Sequence, residues 1–232
     1  MKLLAIDTSS DACSAAVLTD KAYEVVFELA PRAHTRLILP MVETVLAHAA
    51  LRLSELDAIA FGRGPGAFTG VRIAVGVAQG LALAADKPVL PISSLAALAE
   101  QAYEELEATH VMVALDARMG EVYWGEYVLQ DGRMCLQREE SVDKPEAVPL
   151  PAFNQKIIGV GSGWAAYPVL QQRFEPCLLA VYADWLPSAG FVVKLARFDW
   201  QNGLQVVADL AQPVYLRNKV AQTTRERGVS SA

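Results

Sequence analysis

Histidine and cysteine are scarce in this chain, three of each among 232 residues. Cys13, Cys135 and Cys177 are odd in number, far apart and without a C-x-x-C pair. That pattern argues for a reducing cytoplasm and against structural zinc. His34, His48 and His110 are equally dispersed, and none stands in H-x-x-x-H or beside a carboxylate at ligand spacing. No metal site is expected. A basic excess is missing too. The net charge is −6 and the pI about 5.1, whereas a protein that holds nucleic acid on its own surface usually shows the opposite balance. The local basic cluster of Arg217, Lys219, Arg225 and Arg227 reads as a solvated tail. Trp124, Trp164, Trp185 and Trp200 form no stacking series with basic residues.

Other absences narrow the chemistry. No apolar run reaches the roughly 18–20 residues of a membrane span. Positions 71–85 come nearest, interrupted by Arg72 and Gln79. The start, Met1 to Asp7, meets an acid too early for a signal peptide. Gly161-Ser162-Gly163 is not G-x-S-x-G, because Val160 and Trp164 flank it. The stretch Gly62-Arg63-Gly64-Pro65-Gly66-Ala67-Phe68-Thr69-Gly70 lacks the G-K-[ST] of a P-loop.

What is present is apolar surface, 53% of residues, enough for a core. Lys2–Ile6 and Ala12–Leu18 read as strands around the polar turn Asp7-Thr8-Ser9-Ser10-Asp11, with a third strand at Ala22–Glu28. A helix is expected over His34–Ala50, with Leu37, Ile38, Met41, Val42, Val45, Leu46 and Ala49 on one face and Pro40 inside it. Ser54 with Asp57 reads as a capping turn before a buried strand, Leu56–Phe61. The glycine-rich loop then opens a second helix, 69–85, that is apolar on nearly every side and is expected to be buried all round. Gly76, Gly80 and Ala84 lie four apart, so one face has almost no side chains. Each mid-helix glycine costs about 1 kcal/mol relative to alanine. Close packing must offset that cost, either in the core or against a partner.

Beyond it come a strand at Val89–Ile92, a helix capped by Ser93-Ser94 to Leu106, and a strand at Val111–Leu115 running into Asp116-Ala117-Arg118. Strands follow at Glu121–Leu129, Met134–Val142 and Lys156–Val160. Helices then reach Phe174 and, from the cap at Ser188, Phe198. Ala5-Ile6-Asp7-Thr8-Ser9 and Ala114-Leu115-Asp116-Ala117-Arg118 echo each other as strand–Asp–turn–strand units. They imply two similar lobes, 1–107 and 108–232. The last helix packs back on the first lobe, and a flexible tail occupies 219–232. Asp7 and Asp116 either serve a nucleotide or hold the turn that follows each.

Six further segments carry a resemblance. Leu4-Ala5-Ile6-Asp7-Thr8-Ser9, Gly64–Ile73, Ala78-Gln79-Gly80-Leu81-Ala82, Ile92-Ser93-Ser94-Leu95, Leu115-Asp116-Ala117-Arg118 and Val122-Tyr123-Trp124 together resemble the TsaB (YeaZ) family, and Pro213-Val214-Tyr215-Leu216-Arg217 matches its ending. The resemblance spans nearly the whole chain. It implies an α/β, actin-like (ASKHA) fold of two lobes with a ribonuclease-H-like mixed sheet in each. It also implies a cytoplasmic role in forming N6-threonylcarbamoyladenosine at position 37 of tRNAs that read ANN codons. There the chain would be a non-catalytic partner and activator of a TsaD-type threonylcarbamoyltransferase, joined by a TsaE-type ATPase and a homodimer in isolation. It would meet tRNA only through the complex. The catalytic paralogue carries H-x-E-x-H where this chain has Pro91–Ala99, with neither histidine nor carboxylate. A serine hydroxyl and alanine methyls cannot replace imidazole ligands.

The family's two-helix bundle maps the expected partner interface onto Leu37, Met41, Val45, Ile73, Gly76, Val77, Gly80 and Ala84. Asp7, Thr8 and Ser9 are the candidate nucleotide residues. No cofactor is expected on this chain alone, with ATP or ADP at the seam with partners. The competing readings are an actin-like kinase or ATPase, and a peptidase.

Overall fold

The computed structural model describes residues 1–151 and 155–217. Strands β1 (Lys2–Asp7), β2 (Ala12–Thr19), β3 (Tyr23–Leu29), β4 (Ala58–Gly62) and β5 (Val89–Ile92) form a first sheet in the order β3-β2-β1-β4-β5. β1 and β2 pair antiparallel, as do β2 and β3, whereas β1, β4 and β5 run parallel. β1 and β4 lie at the centre with both faces covered. They therefore read as unbroken apolar runs rather than alternating ones.

Helices α1 (His34–His48) and α2 (Phe68–Ala85) cover one face. Ile38, Met41, Val42, Val45 and Leu46 of α1 meet Leu4, Ile6, Ile59 and Phe61 from the sheet and Val71, Val75, Ala78 and Ala82 of α2. Burying a leucine- or isoleucine-sized side chain stabilises by about 1.5–3 kcal/mol, so this cluster fixes both helices to the sheet. Pro40 sits in α1 on its exposed side. The turn before β4 differs from the expected Ser54–Asp57 cap. It is a 3-10 turn, Leu53–Glu55, in which the Glu55 carboxylate accepts from the Arg52 amide at 3.0 Å, while Asp57 accepts from the Lys2 amide at 2.7 Å.

Helix α3 (Ser94–Leu106) leads to the second sheet. The Ser93 hydroxyl starts it by accepting from the amides of Leu95 and Ala96. Strands β6 (His110–Asp116), β7 (Val122–Gln130), β8 (Arg133–Leu136), β9 (Ser141–Asp143), β10 (Ile157–Val160) and β11 (Leu178–Tyr182) are ordered β11-β10-β6-β7-β8, with β9 also on β7. Laid over the first sheet, β6 takes the place of β1, β7 of β2, β8 of β3, β10 of β4 and β11 of β5. The directions agree, antiparallel on one side of β6 and parallel on the other. The two sheets thus give an actin-like fold, and Asp7 and Asp116 close equivalent strands.

The stretch 134–142 splits into β8 and β9 rather than forming one strand. The single helix expected to end at Phe174 is broken into α4 (Gly163–Ala166) and α5 (Pro168–Phe174). Pro168 excludes helical geometry at Tyr167, which adopts φ −131° and ψ 90°.

Helix α6 (Ala189–Gln201) returns to the first sheet, where Val192, Val193 and Ala196 meet Leu3, Ala5, Ala58 and Ala60. Alanines on the strands let the helix approach closely. The Ser14 hydroxyl accepts the Ala189 amide at 2.9 Å and ties the start of α6 to β2. α3 lies between the lobes, with Ala97 on the first sheet and Leu95, Leu98 and Ala102 on the second. The chain then runs to Arg217 without regular strand or long helix. Residues 219–232, expected as a flexible tail, lie outside the described residues, and so do Lys219, Arg225 and Arg227.

Candidate functional site

Two regions were singled out from the sequence, and the structure treats them differently. Around Asp7 the chain is closed. Asp7 and Thr8 are fully buried and Ser9 nearly so. Their polar groups are used internally. Asp7 Oδ1 accepts from the Ser9 amide and hydroxyl, both at 2.8 Å, and the Thr8 hydroxyl donates to the Gly70 carbonyl at 2.7 Å. The glycine-rich loop lies directly on this turn, with the Ala67 amide donating to the Ser9 carbonyl at 2.7 Å. A Cβ on Gly66 would stand 2.3 Å from Ser9 O, and one on Gly70 would stand 2.0 Å from Thr8 O. Those glycines are needed for the close approach of the loop to the Asp7–Ser9 turn. Asp7, Thr8 and Ser9, expected as nucleotide residues, are therefore a buried turn under the loop. A ligand would have to displace it.

Burial pushes the Asp7 carboxyl up to about 6, against the opposing pull of the Ser9 hydrogen bonds. Among the described residues its Oδ2 has no hydrogen-bond partner, and neither do His34 Nε2 and Ser94 Oγ, all buried. Asp116, the counterpart in the second lobe, accepts the Arg118 amide at 2.8 Å and the Tyr167 hydroxyl at 2.8 Å. It holds its turn as Asp7 does. Among the described residues no group of three or more His, Cys, Asp or Glu could hold a metal ion. Ser93 caps α3 and also bonds the Glu140 carboxylate.

The second region, α2, is open. The sequence predicts a helix buried all round, yet only Gly70, Val71, Ala74, Val75, Ala78 and Ala82 are buried. They make one stripe against the sheet. By length and composition alone α2 could cross a membrane, but that stripe holds it on the protein core. Gln79 is turned inward to donate to the carbonyls of Ala208 and Ala211. On the outward side, a Cβ on Gly76 or Gly80 would meet nothing within 4 Å. Ala84 is exposed, and Ile73 and Val77 are half-buried beside the glycines. The small-residue edge is thus not core packing.

Of the eight residues mapped to a partner face, the structure brings Ile73, Gly76, Val77, Gly80 and Ala84 onto one open helix side, with Leu37 half-buried on α1. Met41 and Val45 do not belong there. They point into the first-sheet core, 5% and 0% exposed, and offer a partner no area. Helical periodicity marks an apolar face of α1 but not what covers it.

Four residues that the sequence reading does not assign bound the open side. At its start the Arg72 guanidinium lies 3.3 Å over the Phe68 ring and 4.9 Å over the Tyr215 ring. The Phe68–Arg72 spacing of four was a readable signal, but the arrival of Tyr215 from the end of the chain was not. Toward the other end Leu83 is 64% exposed. The C-terminal segment is strapped across both lobes. The Val214 amide donates to Arg63 O at 2.9 Å, and the Arg217 guanidinium reaches Glu121 and the Arg118 carbonyl.

A family model described as TsaD, tRNA N6-adenosine threonylcarbamoyltransferase, matches residues 14–182. The chain is 43% identical over 224 residues to the Escherichia coli K12 tRNA threonylcarbamoyladenosine biosynthesis protein TsaB, covering 95% of this chain and 96% of that one. The chain belongs to the TsaB family. The Haemophilus influenzae TsaB is 42% identical over 228 residues, 95% of each chain. A Pseudomonas aeruginosa crystal structure, described as an uncharacterized protein with similarity to peptidase YEAZ, superposes with a TM-score of 0.88 at 50% identity. It covers 93% of this chain and 99% of that one. The TsaB relationship thus extends over both lobes and over the open helix.

Proposed function

We propose that this chain is a non-catalytic partner and activator of a TsaD-type threonylcarbamoyltransferase in the formation of N6-threonylcarbamoyladenosine at position 37 of tRNAs reading ANN codons. The observation that carries the reading is the outward side of α2. Two glycines in the middle of a helix cost about 1 kcal/mol each relative to alanine, and among the described residues nothing packs on Gly76 or Gly80 to offset it. A partner helix laid along Ile73, Gly76, Val77, Gly80 and Ala84 would supply that packing, because bare positions let two backbones come close. The family-model match to TsaD itself supports a partner of like fold.

The kinase or ATPase alternative needs phosphate access at Asp7, Thr8 and Ser9, and the loop over these residues opposes it. In this reading a nucleotide belongs to the seam with the partners, a TsaE-type ATPase joins the pair, and tRNA is met only through the assembly. A homodimer through the same helix side occupies the chain when no TsaD-type subunit is present. The work is cytoplasmic, where tRNA is modified. Sedimentation of the chain mixed with a TsaD-type subunit tests the proposal. A one-to-one complex at micromolar concentration is expected. Two unmixed species at tens of micromolar would overturn it.

A further inference from the structure

The edge of the first sheet at β3 is open, and among the described residues no strand pairs with its outer side. Hydrogen bonds at the two ends of the β2–β3 pairing fix which groups point outward. The Thr19 amide donates to Ala22 O at 2.8 Å, and the Ala30 amide to Asp11 O at 3.0 Å. These bonds flank the opposed pairs Leu18–Tyr23 and Ala12–Leu29. Both pairs are therefore of the non-hydrogen-bonded kind, and by alternation so are Ala16–Val25 and Ser14–Phe27. The N–H and C=O groups of Tyr23, Val25, Phe27 and Leu29 thus face away from β2.

The side chains of the same four residues stand on the α6 side. A Cβ on Gly190 of α6 would come 2.7 Å from Tyr23 Oη and 3.2 Å from Val25 Cγ2. α6 covers only part of them: they remain 43%, 38%, 48% and 65% exposed. The opposite side carries Glu24, Val26 and Glu28. Val26 packs on the α1 core, and Glu24 lies 3.7 Å from His48 Nδ1. Among the described residues no lysine or arginine pairs with either glutamate. Sheet edges are ordinarily blunted by a lysine, a proline or a bulge. Tyr23–Leu29 contains no lysine or proline, and its register with β2 is unbroken.

We infer that β3 is a docking edge for an extended segment of a partner protein in which apolar and basic residues alternate. The segment adds antiparallel to β3 and bonds to the outward N–H and C=O groups of Tyr23, Val25, Phe27 and Leu29. Its apolar side chains continue the exposed row on the α6 side, and its basic ones fall opposite Glu24 and Glu28. Charge disfavours a second copy of the chain in the register that pairs all seven strand residues. Pairing of two β3 edges centred on Val26 would set Glu24 against Glu28, and like charges directly opposed destabilise a pair. The net charge of −6 adds to that repulsion.

The probe is a labelled heptapeptide, acetyl-Val-Lys-Val-Thr-Val-Lys-Val-amide, with a scrambled peptide of the same composition as control. Fluorescence anisotropy is expected to show saturable binding to the full chain, and hydrogen exchange a slowing at Tyr23, Val25, Phe27 and Leu29. Val25→Pro removes one outward N–H that β2 does not use, so it leaves the circular dichroism native and abolishes binding. The double variant Glu24→Lys, Glu28→Lys, at a half-buried and an exposed position, weakens binding about tenfold or more at low salt. Three results would each overturn the inference. One is no saturation at about 1 mM peptide, a Kd too weak for specific docking. Another is equal binding of the scrambled peptide or retained binding by both variants. The third is self-association of the chain that Val25→Pro removes, which would assign the edge to a second copy. None of these readouts involves α2, so their failure leaves the TsaD-type partnership untouched.

Discussion

The Thr8 hydroxyl donates to the Gly70 carbonyl at 2.7 Å, and the Thr8 carbonyl in turn lies 2.0 Å from where a Cβ on Gly70 would stand. The turn after β1 and the first turn of α2 are therefore locked by a contact that tolerates no side chain. Gly70→Ala should cost about 1–3 kcal/mol, the typical range for overpacking. Urea unfolding checks it. Gly76→Ala in the same helix, with nothing within 4 Å of the new methyl, should instead stabilise by up to about 1 kcal/mol.

Asp7 gives a pH dependence with a definite sign. Its carboxyl is raised from 3.8 to about 6 in the folded chain, mainly by burial. Between these values the folded state holds a proton that the unfolded state has released. The group's contribution to stability therefore falls as pH rises from about 4 to 6, and the penalty is fully present above 6. It is on the order of 3 kcal/mol. Asp7→Asn keeps an acceptor for Ser9 and removes the buried charge. It should raise stability at pH 8 relative to pH 5, flattening that part of the profile. An unchanged slope in urea titrations at the two pH values would show that Asp7 does not titrate there.

Calorimetry with ATP and magnesium should give no heat of binding on the isolated chain, because Thr8 and Ser9 lie beneath the Gly66–Gly70 loop. Saturable binding that disappears in Asp7→Ala would restore the kinase or ATPase reading.

Arg217 closes the C-terminal strap with its bonds to Glu121 and to the Arg118 carbonyl. Its side chain is 16% exposed and that of Glu121 33%, so the pair is screened only in part. Arg217→Ala should lower stability by about 1–2 kcal/mol. It should also speed hydrogen exchange of the Val214 amide, which donates to Arg63 O.

The sheets were largely legible in the sequence because β1, β4 and β6 are unbroken apolar runs closed by turn residues. The Asp7–Asp116 echo gave the repeat of topology. The strand β11 carries no comparable signal, since Leu178–Tyr182 is a short run of mostly intermediate burial. The break at Tyr167 has its signal in Pro168, which disfavours helix at the residue before it. At the candidate site the limit is of another kind. α2 is apolar on nearly all sides, and composition cannot distinguish a side that meets the chain's own core from one that meets another molecule. For the same reason Met41 and Val45 were grouped with Leu37. The closure over Asp7 depends on contacts across some sixty positions of chain, of which the sequence shows only the glycines that permit them.

The most direct measurement is sedimentation of Gly76→Arg with a TsaD-type subunit, alongside circular dichroism of the variant alone. The arginine projects from an open helix side, so the variant should keep the wild-type spectrum and unfolding midpoint. Complex formation should fall by at least about a hundredfold, since the side chain holds two helix backbones apart. A folded variant that still forms the complex with wild-type affinity would contradict the assignment of α2 as the partner-binding helix.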